Sequence, residues 1–478
     1  MGLENRKFVA DNNKRSALNL TSRESLVPNC LVTVLFFLWG FAYGLLDVLN
    51  AHFQAVLHIT AAKAAGLSAA YFGAYLMCPP SISSWILRHF GFRVTFMTGL
   101  AVLAVGSLLF WPSGVKSSFG GFCGSMFIVG TGLSTLETAA DPFLAICGPL
   151  RYSEIRLNLA QAVQGVGAAA APLLASRVFF AHTLDTKDGL KNVQWVYLGV
   201  AGFVALLTIM FLLAPMPEIT DADMLAQELK ISESDPGPFR KQWNLFLAVF
   251  SQFCYVGSQV AIAYRIILSI LLEKLDMTTK VHIFDVPFKY PNPKTDQSIA
   301  NLFAIAQGLY AVNRFIAAFA MMIPSIKPRY VLSAYLSLCI VFSIAAMNTR
   351  GNISIAMLTT VLCFESACFA TIFTLGLRGL GKHTKRGGAL LVSAISGGMV
   401  FPPMMGAVVD RKGAHTAMAI PMMGFILAGV YPVYVNVFKR KTMDIHRGTS
   451  VGLSQTSDFV MAKKEDQEMV QVREREVQ

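Results

Sequence analysis

The chain has 478 residues, of which 54% are hydrophobic and only 14% are charged. Because a soluble domain carries about 25% charged residues, this composition excludes an ordinary soluble protein and favours one embedded in a bilayer. The net charge of +12 is spread over many short loops rather than gathered on one compact basic face. We therefore predict lipid, and no nucleic acid, as a partner.

A polar tail of mixed charge, residues 1–28, precedes the first apolar stretch, which is too long for the core of a signal peptide. A bilayer crossing needs about 20 apolar residues, and stretches of that length recur along the whole chain. We predict an all-α membrane protein with about twelve transmembrane helices. The predicted spans cover residues 29–51, 64–86, 94–113, 118–141, 156–180, 195–214, 243–271, 298–322, 330–348, 353–377, 387–408 and 416–437.

Basic residues in the connections predict the orientation, because cytoplasmic loops are enriched in Lys and Arg. If both termini are cytoplasmic, most basic residues of the short loops fall on the cytoplasmic side, namely Arg88, Arg93, Arg151, Arg156, Arg240, Lys241, Lys327, Arg329, Arg378, Lys382, Lys385 and Arg386. A charged tail, residues 439–478, is expected to be disordered in the cytosol. We expect an integral multi-pass protein of the plasma membrane.

Two acidic residues close long uncharged stretches. Val27 to Leu46 carries no charge and is followed by Asp47, and Ser117 to Leu136 carries none and is followed by Glu137. A carboxyl group inside the membrane is costly and marks a functional site by default. The pattern indicates transport of protons or solutes.

The chain divides into two halves, with a six-helix bundle at 29–214, a cytoplasmic linker at 215–242 and a second bundle at 243–438. A weak internal repeat relates the bundles, since Pro172 follows Glu137 by 35 residues and Pro402 follows Glu365 by 37. Small residues precede both prolines. Duplicated six-helix halves with a site between them are typical of the major facilitator fold.

Several short blocks of aromatic, acidic, amide and glycine residues follow one another in a specific order along the spans. They are Phe36 to Phe41, Leu46 to Leu49, Leu136 to Phe143, Arg156 to Gln161, Phe253 to Gln259, Thr371 to Gly376 and Ser396 to Val400. In order and spacing these blocks resemble the L-fucose:proton symporter family of the major facilitator superfamily. The resemblance covers most of the membrane portion.

The resemblance implies proton-coupled uptake of a monosaccharide, L-fucose or a related hexose, by alternating access. In that family the acid of the first helix carries the proton and the acid of the fourth couples protonation to sugar recognition. These roles fall on Asp47 and Glu137. The amide positions of the fifth helix fall on Gln161 and on Gln164, where bacterial members carry Asn.

The chemistry of these residues agrees with a sugar as substrate. Amides both donate and accept hydrogen bonds, as sugar hydroxyls do, and Gln161 and Gln164 share one helix face. Further candidates for substrate contacts are Asn158, Gln259, Asn301 and Gln307. Each has a structural alternative, because amides also bond neighbouring helices together. Asp47 could instead lie at the membrane interface, and Glu137 could pair with Arg156.

Several residues depart from the pattern of the family. Asp141 replaces the usual Asn before Pro142, four residues after Glu137 and thus on a nearby face. We expect it either to titrate jointly with Glu137 or to be structural, where it pairs with Arg156 or caps the turn before Pro142. Arg265, Asn313 and Leu46 also differ from the family, and all four changes leave room for a different substrate.

Two other classes of function stay open at this point. An exporter of secondary metabolites or drugs could use the same scaffold with proton antiport. An enzyme or channel is disfavoured, because the sequence shows no nucleophile motif with a placed base, no metal-ligand cluster and no selectivity sequence.

The eight cysteines form no CxxC pair, so we predict no metal and no cofactor. We expect a monomer, and we expect the sequon at Asn352 to lie too close to the bilayer for glycosylation.

Overall fold

The computed structural model describes residues 25–57, 61–116, 118–149, 152–174, 189–213, 216, 224, 237–272, 281–283, 286–288, 296–323, 325–440 and 443–444. Within these ranges the regular structure is helical apart from one short antiparallel hairpin, formed by β1 (Val281–Ile283) and β2 (Val286–Phe288). The prediction of an all-α architecture is confirmed. The predicted tails and the linker lie mostly outside the described residues, so the domain boundaries stay predictions.

The first half of the chain contributes six long helices. They are α1 (Leu26–Leu57), α2 (Ala61–Met77), α3 (Ser84–Val115), α4 (Phe119–Ile146), α5 (Ser153–Leu174) and α6 (Gly189–Leu213). A π-helical segment, Pro79–Ser83, joins α2 to α3. These helices correspond to the first six predicted spans.

In the second half, three continuous helices are followed by three spans that are built from shorter pieces. The continuous helices are α7 (Trp243–Leu272), α8 (Asp296–Ala320) and α9 (Pro328–Asn348). The tenth span consists of α10 (Gly351–Glu365) and α11 (Cys368–Leu377), and the eleventh of α12 (Thr384–Ser393) and α13 (Gly397–Lys412). The twelfth consists of α14 (Ala414–Ala417), α15 (Ala419–Ala428) and α16 (Val430–Val437).

By length and composition, seven helical segments of the described residues could cross a membrane. One of them, Gly66–Ser113, has 48 residues, about twice what a single crossing needs. It bends at Gly91, whose φ of 84° and ψ of −176° are not helical. The positive φ is readily adopted only by glycine, and the bend falls between the second and third predicted spans.

Close helix packing recurs at equivalent places in the two halves. A Cβ atom added at Gly167 in α5 would lie 2.4 Å from the carbonyl oxygen of Phe37 in α1, and one added at Gly397 would lie 2.1 Å from that of Phe253 in α7. Small residues let helix backbones approach this closely in membranes. The same contact thus joins the first and fifth spans and the seventh and eleventh spans, as the predicted repeat requires.

The two halves contact each other at the end of the bundle that we predict to be cytoplasmic. Arg378, after α11, forms an ion pair with Glu154 at the start of α5. A Cβ atom added at Gly388 in α12 would lie 2.5 Å from the ring of Pro142 in α4. These contacts close the predicted cytoplasmic end, and a cavity lies between the halves above them.

Candidate functional site

A cavity of about 120 Å³ lies between the two halves. Since one water molecule occupies about 10 to 15 Å³ on such a measure, the cavity has room for several waters or a small polar solute. One wall comes from α1, α2, α4 and α5, and the other from α7, α8, α10, α11 and the turn before α13. The polar and aromatic lining residues are Phe36, Trp39, Tyr71, Phe72, Tyr75, Glu137, Asp141, Gln161, Gln164, Gln259, Gln307, Tyr310, Arg314, Glu365 and Phe369.

Glu137 is buried in the first-half wall, with 8% of its surface exposed. The hydroxyl of Tyr75 donates a hydrogen bond of 3.4 Å to its Oε1 atom, and that hydroxyl lies 3.2 Å from the hydroxyl of Tyr71. Its Oε2 atom has no partner among the described residues. Glu137 thus places an unpaired carboxylate oxygen at the cavity, where a proton or a hydroxyl group can bind.

Arg156 pairs with neither acid of α4, so the alternative of an ion pair with Glu137 or Asp141 was wrong. Its guanidinium donates to the carbonyl oxygens of Leu144, Ala145 and Pro149, at 2.7 to 3.0 Å. The carbonyls of Leu144 and Ala145 belong to the last turn of α4, which lacks donors within the helix, and that of Pro149 lies in the following loop, so all three can accept from the cation. Asp141 instead lines the cavity, fully buried, and neither of its carboxylate oxygens has a partner among the described residues.

Four of the predicted amides line the cavity, two from each half. Gln161 is 3% exposed and its Oε1 atom has no described partner, whereas Gln259 donates a hydrogen bond of 2.7 Å to the hydroxyl of Tyr310. Gln164 and Gln307 complete this set. Asn158 is not brought to the cavity wall, because its amide donates to the carbonyl oxygen of Glu154 one turn away.

The side chains of several other predicted residues lie outside the described part of the structure. Asp47 and Asn301 belong to α1 and α8, and Arg265 and Asn352 to α7 and α10. Their roles stay predictions. Asn313 is described, and its amide donates to the carbonyl oxygen of Cys363 in the tenth span.

The tenth span is interrupted next to the cavity, where α10 ends at Glu365 and α11 begins at Cys368. Side chains of the second half satisfy the carbonyl oxygens that the interruption leaves free. Tyr255 donates to the carbonyl of Glu365 at 2.7 Å, and Arg314 donates to that of Ser366 at 2.5 Å. Backbone that is not helical is tolerated at membrane depth where protein buries it or a cavity adjoins it, and interrupted helices often form transporter sites.

Glu365 and Arg314 are cavity residues that the sequence analysis did not assign to the site. Each is the one charged residue of its predicted span, 353–377 or 298–322. The argument that singled out Glu137, a lone charge in an apolar helix, applies to both. Among the described residues, no group of three or more His, Cys, Asp or Glu residues could hold a metal ion.

The fold and the cavity define a transporter-like membrane protein, and the comparisons with known proteins name its family. Residues 32–389 match the major facilitator superfamily. The chain belongs to this superfamily, whose members are transporters and not enzymes. The predicted fold, with its twelve spans, is therefore confirmed.

Similar proteins and structures support the more specific resemblance. The L-fucose-proton symporter of Escherichia coli is 28% identical over 86% of this chain and 93% of its own length. A glucose/galactose transporter of Brucella abortus is 27% identical over 84% of this chain and 92% of its own. The crystal structure of the transporter FucP in the outward conformation superposes with a TM-score of 0.69 and 28% identity, covering 86% of this chain and 99% of that one.

Proposed function

We propose that this protein takes up a monosaccharide, L-fucose or a related hexose, together with protons by alternating access. The observation that carries the proposal is the cavity between the halves, where the buried carboxyl group of Glu137 lies on the same wall as the amides of Gln161 and Gln164. A buried carboxyl can gain and lose a proton near working pH. The amides suit hydroxyl groups, which also donate and accept.

The names of the relatives support the same substrate class. The relative from Escherichia coli is named an L-fucose-proton symporter, and the one from Brucella abortus a glucose/galactose transporter. Aromatic rings on the first-half wall, Trp39 and Phe72 among them, provide flat apolar surface for a sugar ring. In this proposal Asp47 carries the proton, Glu137 couples it to sugar binding, and the protein is a monomer of the plasma membrane.

Uptake of a panel of labelled monosaccharides by cells that express the protein tests the proposal. We expect one or a few hexoses to accumulate when the external medium is acidic, and a protonophore to abolish the accumulation. Uptake that does not depend on the proton gradient would contradict proton coupling. Net efflux driven by proton entry in exchange would instead identify an exporter.

Asp47→Asn mimics the protonated acid and should abolish accumulation while sugar exchange continues. A coupled proton gains about 2.3 kcal/mol per 100 mV of membrane potential, which supports roughly a 50-fold sugar gradient. The loss should therefore be easy to measure in cells with a normal membrane potential. Accumulation that survives in this variant would remove Asp47 from its proposed role.

A further inference from the structure

Arg314 in α8 lies where the two halves meet and is 3% exposed. Its Nη1 atom donates to the backbone carbonyl oxygen of Gln161, across the junction, at 2.7 Å. Its Nε and Nη2 atoms donate to the carbonyl oxygen of Ser366 and to the hydroxyl of Tyr310, within its own half. All three acceptors are neutral, so these hydrogen bonds hold the guanidinium in place without neutralising its charge.

Two carboxyl groups, one from each half, line the same cavity as this guanidinium. Asp141 comes from α4 and Glu365 from the interruption of the tenth span, and both interact electrostatically with Arg314. Both residues are fully buried and line the cavity. None of their four carboxylate oxygens has a hydrogen-bond partner among the described residues.

One guanidinium can balance only one of these two carboxylates. An ionised carboxylate that is buried without a partner is so costly that it takes up a proton instead. Two acids that compete for one cation are therefore coupled, and the acid that is left unbalanced is neutral. Glu137, one turn from Asp141, adds a third acid to the same cavity and increases the repulsion among them.

We propose that Glu365 is a second proton-binding carboxyl of the transport cycle, and that it competes with Asp141 for the guanidinium of Arg314. The inference rests on the proton coupling proposed above and assigns a proton site to the second half of the chain. In this scheme Arg314 balances Asp141 and Glu365 holds its proton while the predicted cytoplasmic end is closed.

Alternating access changes this competition, because the halves move largely as rigid bodies. Arg314 and Glu365 belong to the same half and stay together, whereas Asp141 moves away with the other half. Water that enters from the opened cytoplasmic end then solvates the Asp141 carboxylate. The guanidinium is left to Glu365, whose carboxyl loses its proton to that water.

Apart from the carboxyl group of Glu137, the other groups around the two acids do not change charge in the working pH range. The titratable and charged groups that face Glu365 and Asp141 in the described residues are Arg314, Glu137, Tyr255, Tyr310, Cys339, Cys363 and Cys368. Phenols and thiols ordinarily titrate above neutral pH and guanidinium far above it. The pH dependence between acidic and neutral conditions therefore comes from the carboxyl groups.

Two single variants and their double variant test the proposal in proteoliposomes, with the sugar that the uptake panel identifies. The sugar is supplied outside for uptake and on both sides for exchange. Asp141→Asn removes the competitor, so Arg314 stays with Glu365, and we expect the pH optimum of uptake to move at least one unit lower. Glu365→Gln removes the proton site, and we expect at least a tenfold loss of uptake driven by a pH gradient while sugar exchange without net proton flow continues. The double variant should behave like Glu365→Gln alone, because no competition remains.

Asp444→Asn serves as a matched control, because it removes a carboxylate outside the cavity and should leave the pH profile unchanged. A wild-type pH profile in Glu365→Gln, or effects of the two single variants that simply add, would overturn the proposal. If Glu365→Gln does not fold, the shift caused by Asp141→Asn is measured in Glu137→Gln protein as the pH dependence of sugar exchange, where Glu137 no longer titrates, and its absence there refutes the competition. Uptake by the wild-type protein that is independent of pH would instead refute the proposed function.

Discussion

The fourth and tenth spans place a glutamate at equivalent positions of the two halves, yet they surround it differently. Glu137 lies within a continuous helix, Phe119–Ile146, and its carboxylate accepts a hydrogen bond from Tyr75. Glu365 ends α10, where the helix is interrupted, and in the described residues its carboxylate accepts none. A duplicated fold has thus kept an acid in both halves and changed what each acid can bind.

The two glutamates differ because the neighbouring hydrogen-bond donors of each half have different acceptors. In the first half the hydroxyl of Tyr75 donates to a carboxylate oxygen of Glu137 and not to the backbone. In the second half Tyr255 and Arg314 donate to backbone carbonyls at the interruption, and the amide of Gln259 approaches the carboxylate of Glu365 without forming a hydrogen bond to it. This difference matches the proposed roles, in which Glu137 couples the proton to sugar recognition and Glu365 binds a second proton.

The largest effect is expected from Glu137→Gln, which removes the acid of the fourth span and keeps its shape. Accumulation of sugar should fall from roughly 50-fold to no gradient, because the membrane potential contributes about 2.3 kcal/mol per 100 mV only to a coupled charge. Uptake and exchange of labelled sugar in the same vesicles measure this. Accumulation at the wild-type level would show that Glu137 does not couple proton and sugar.

The next largest effects are expected from the amide variants, and the loss of sugar affinity should differ between the two walls of the cavity. The Oε1 atom of Gln161 has no described partner, whereas the amide of Gln259 already donates to Tyr310. Gln161→Ala should weaken sugar binding by about 1 to 3 kcal/mol, or about 5- to 150-fold, and Gln259→Ala by less. Sugar affinity in detergent measures both.

Gln252→Ala is the control for the amide variants, because this buried amide of α7 does not line the cavity. It should leave sugar affinity unchanged. Equal losses in Gln161→Ala and Gln259→Ala would remove the distinction between the two walls. Normal affinity in both variants, with the proteins folded, would move the binding site elsewhere.

The sequence predicted the fold and the first-half wall well, because those features depend on local pattern. Apolar stretches of the length of a bilayer crossing predicted the spans, and an acid within an uncharged helix identified Glu137. The amides Gln161 and Gln164 came from the resemblance to a family. Both were then found on the cavity wall.

The second-half wall was harder to predict, because it depends on contacts between helices far apart in the chain. Nothing local in Asn313 or Tyr255 shows that they satisfy carbonyl oxygens of the tenth span. One alternative for Asp141 was a pairing with Arg156, yet carbonyl oxygens at the end of α4 accept the hydrogen bonds of that guanidinium. Glu365 and Arg314 could have been found as lone charges in apolar spans.

A pair of matched variants should show that the hydroxyl beside the tenth span contributes more to the stability of the protein than the one beside the fourth span. Tyr255→Phe leaves the carbonyl oxygen of Glu365 without its 2.7 Å donor, and a buried acceptor without a partner costs about 1 to 3 kcal/mol. Tyr75→Phe makes the same chemical change beside Glu137, but its bond to the carboxylate is long, at 3.4 Å. Thermal unfolding in detergent should show a clear loss for Tyr255→Phe and a smaller one for Tyr75→Phe, and equal losses would contradict the different roles of these hydroxyls.

The smallest effect on stability is expected at the predicted cytoplasmic end. There, too, the two halves differ, in the groups that bind an arginine side chain. Arg156 donates to three carbonyl oxygens at and just after the end of α4. In the second half, Arg329 and Lys327 instead pair with the carboxylate of Asp444. Partial burial opposes ionisation of Asp444, but hydrogen bonds from Arg329 and Lys327 outweigh it and hold its pKa below the ordinary value.

The contribution of Asp444 to stability is therefore complete above the pKa of the unfolded chain, about 3.9, and is lost as the pH falls through the lower pKa of the folded chain. Asp444→Asn should lower stability by no more than about 1 kcal/mol at neutral pH and by progressively less as the pH falls below about 4. Unfolding in detergent across this pH range measures the difference. A deficit in Asp444→Asn that persists unchanged at the acidic end would show that packing, and not the charge of the carboxylate, holds this end of the second half together.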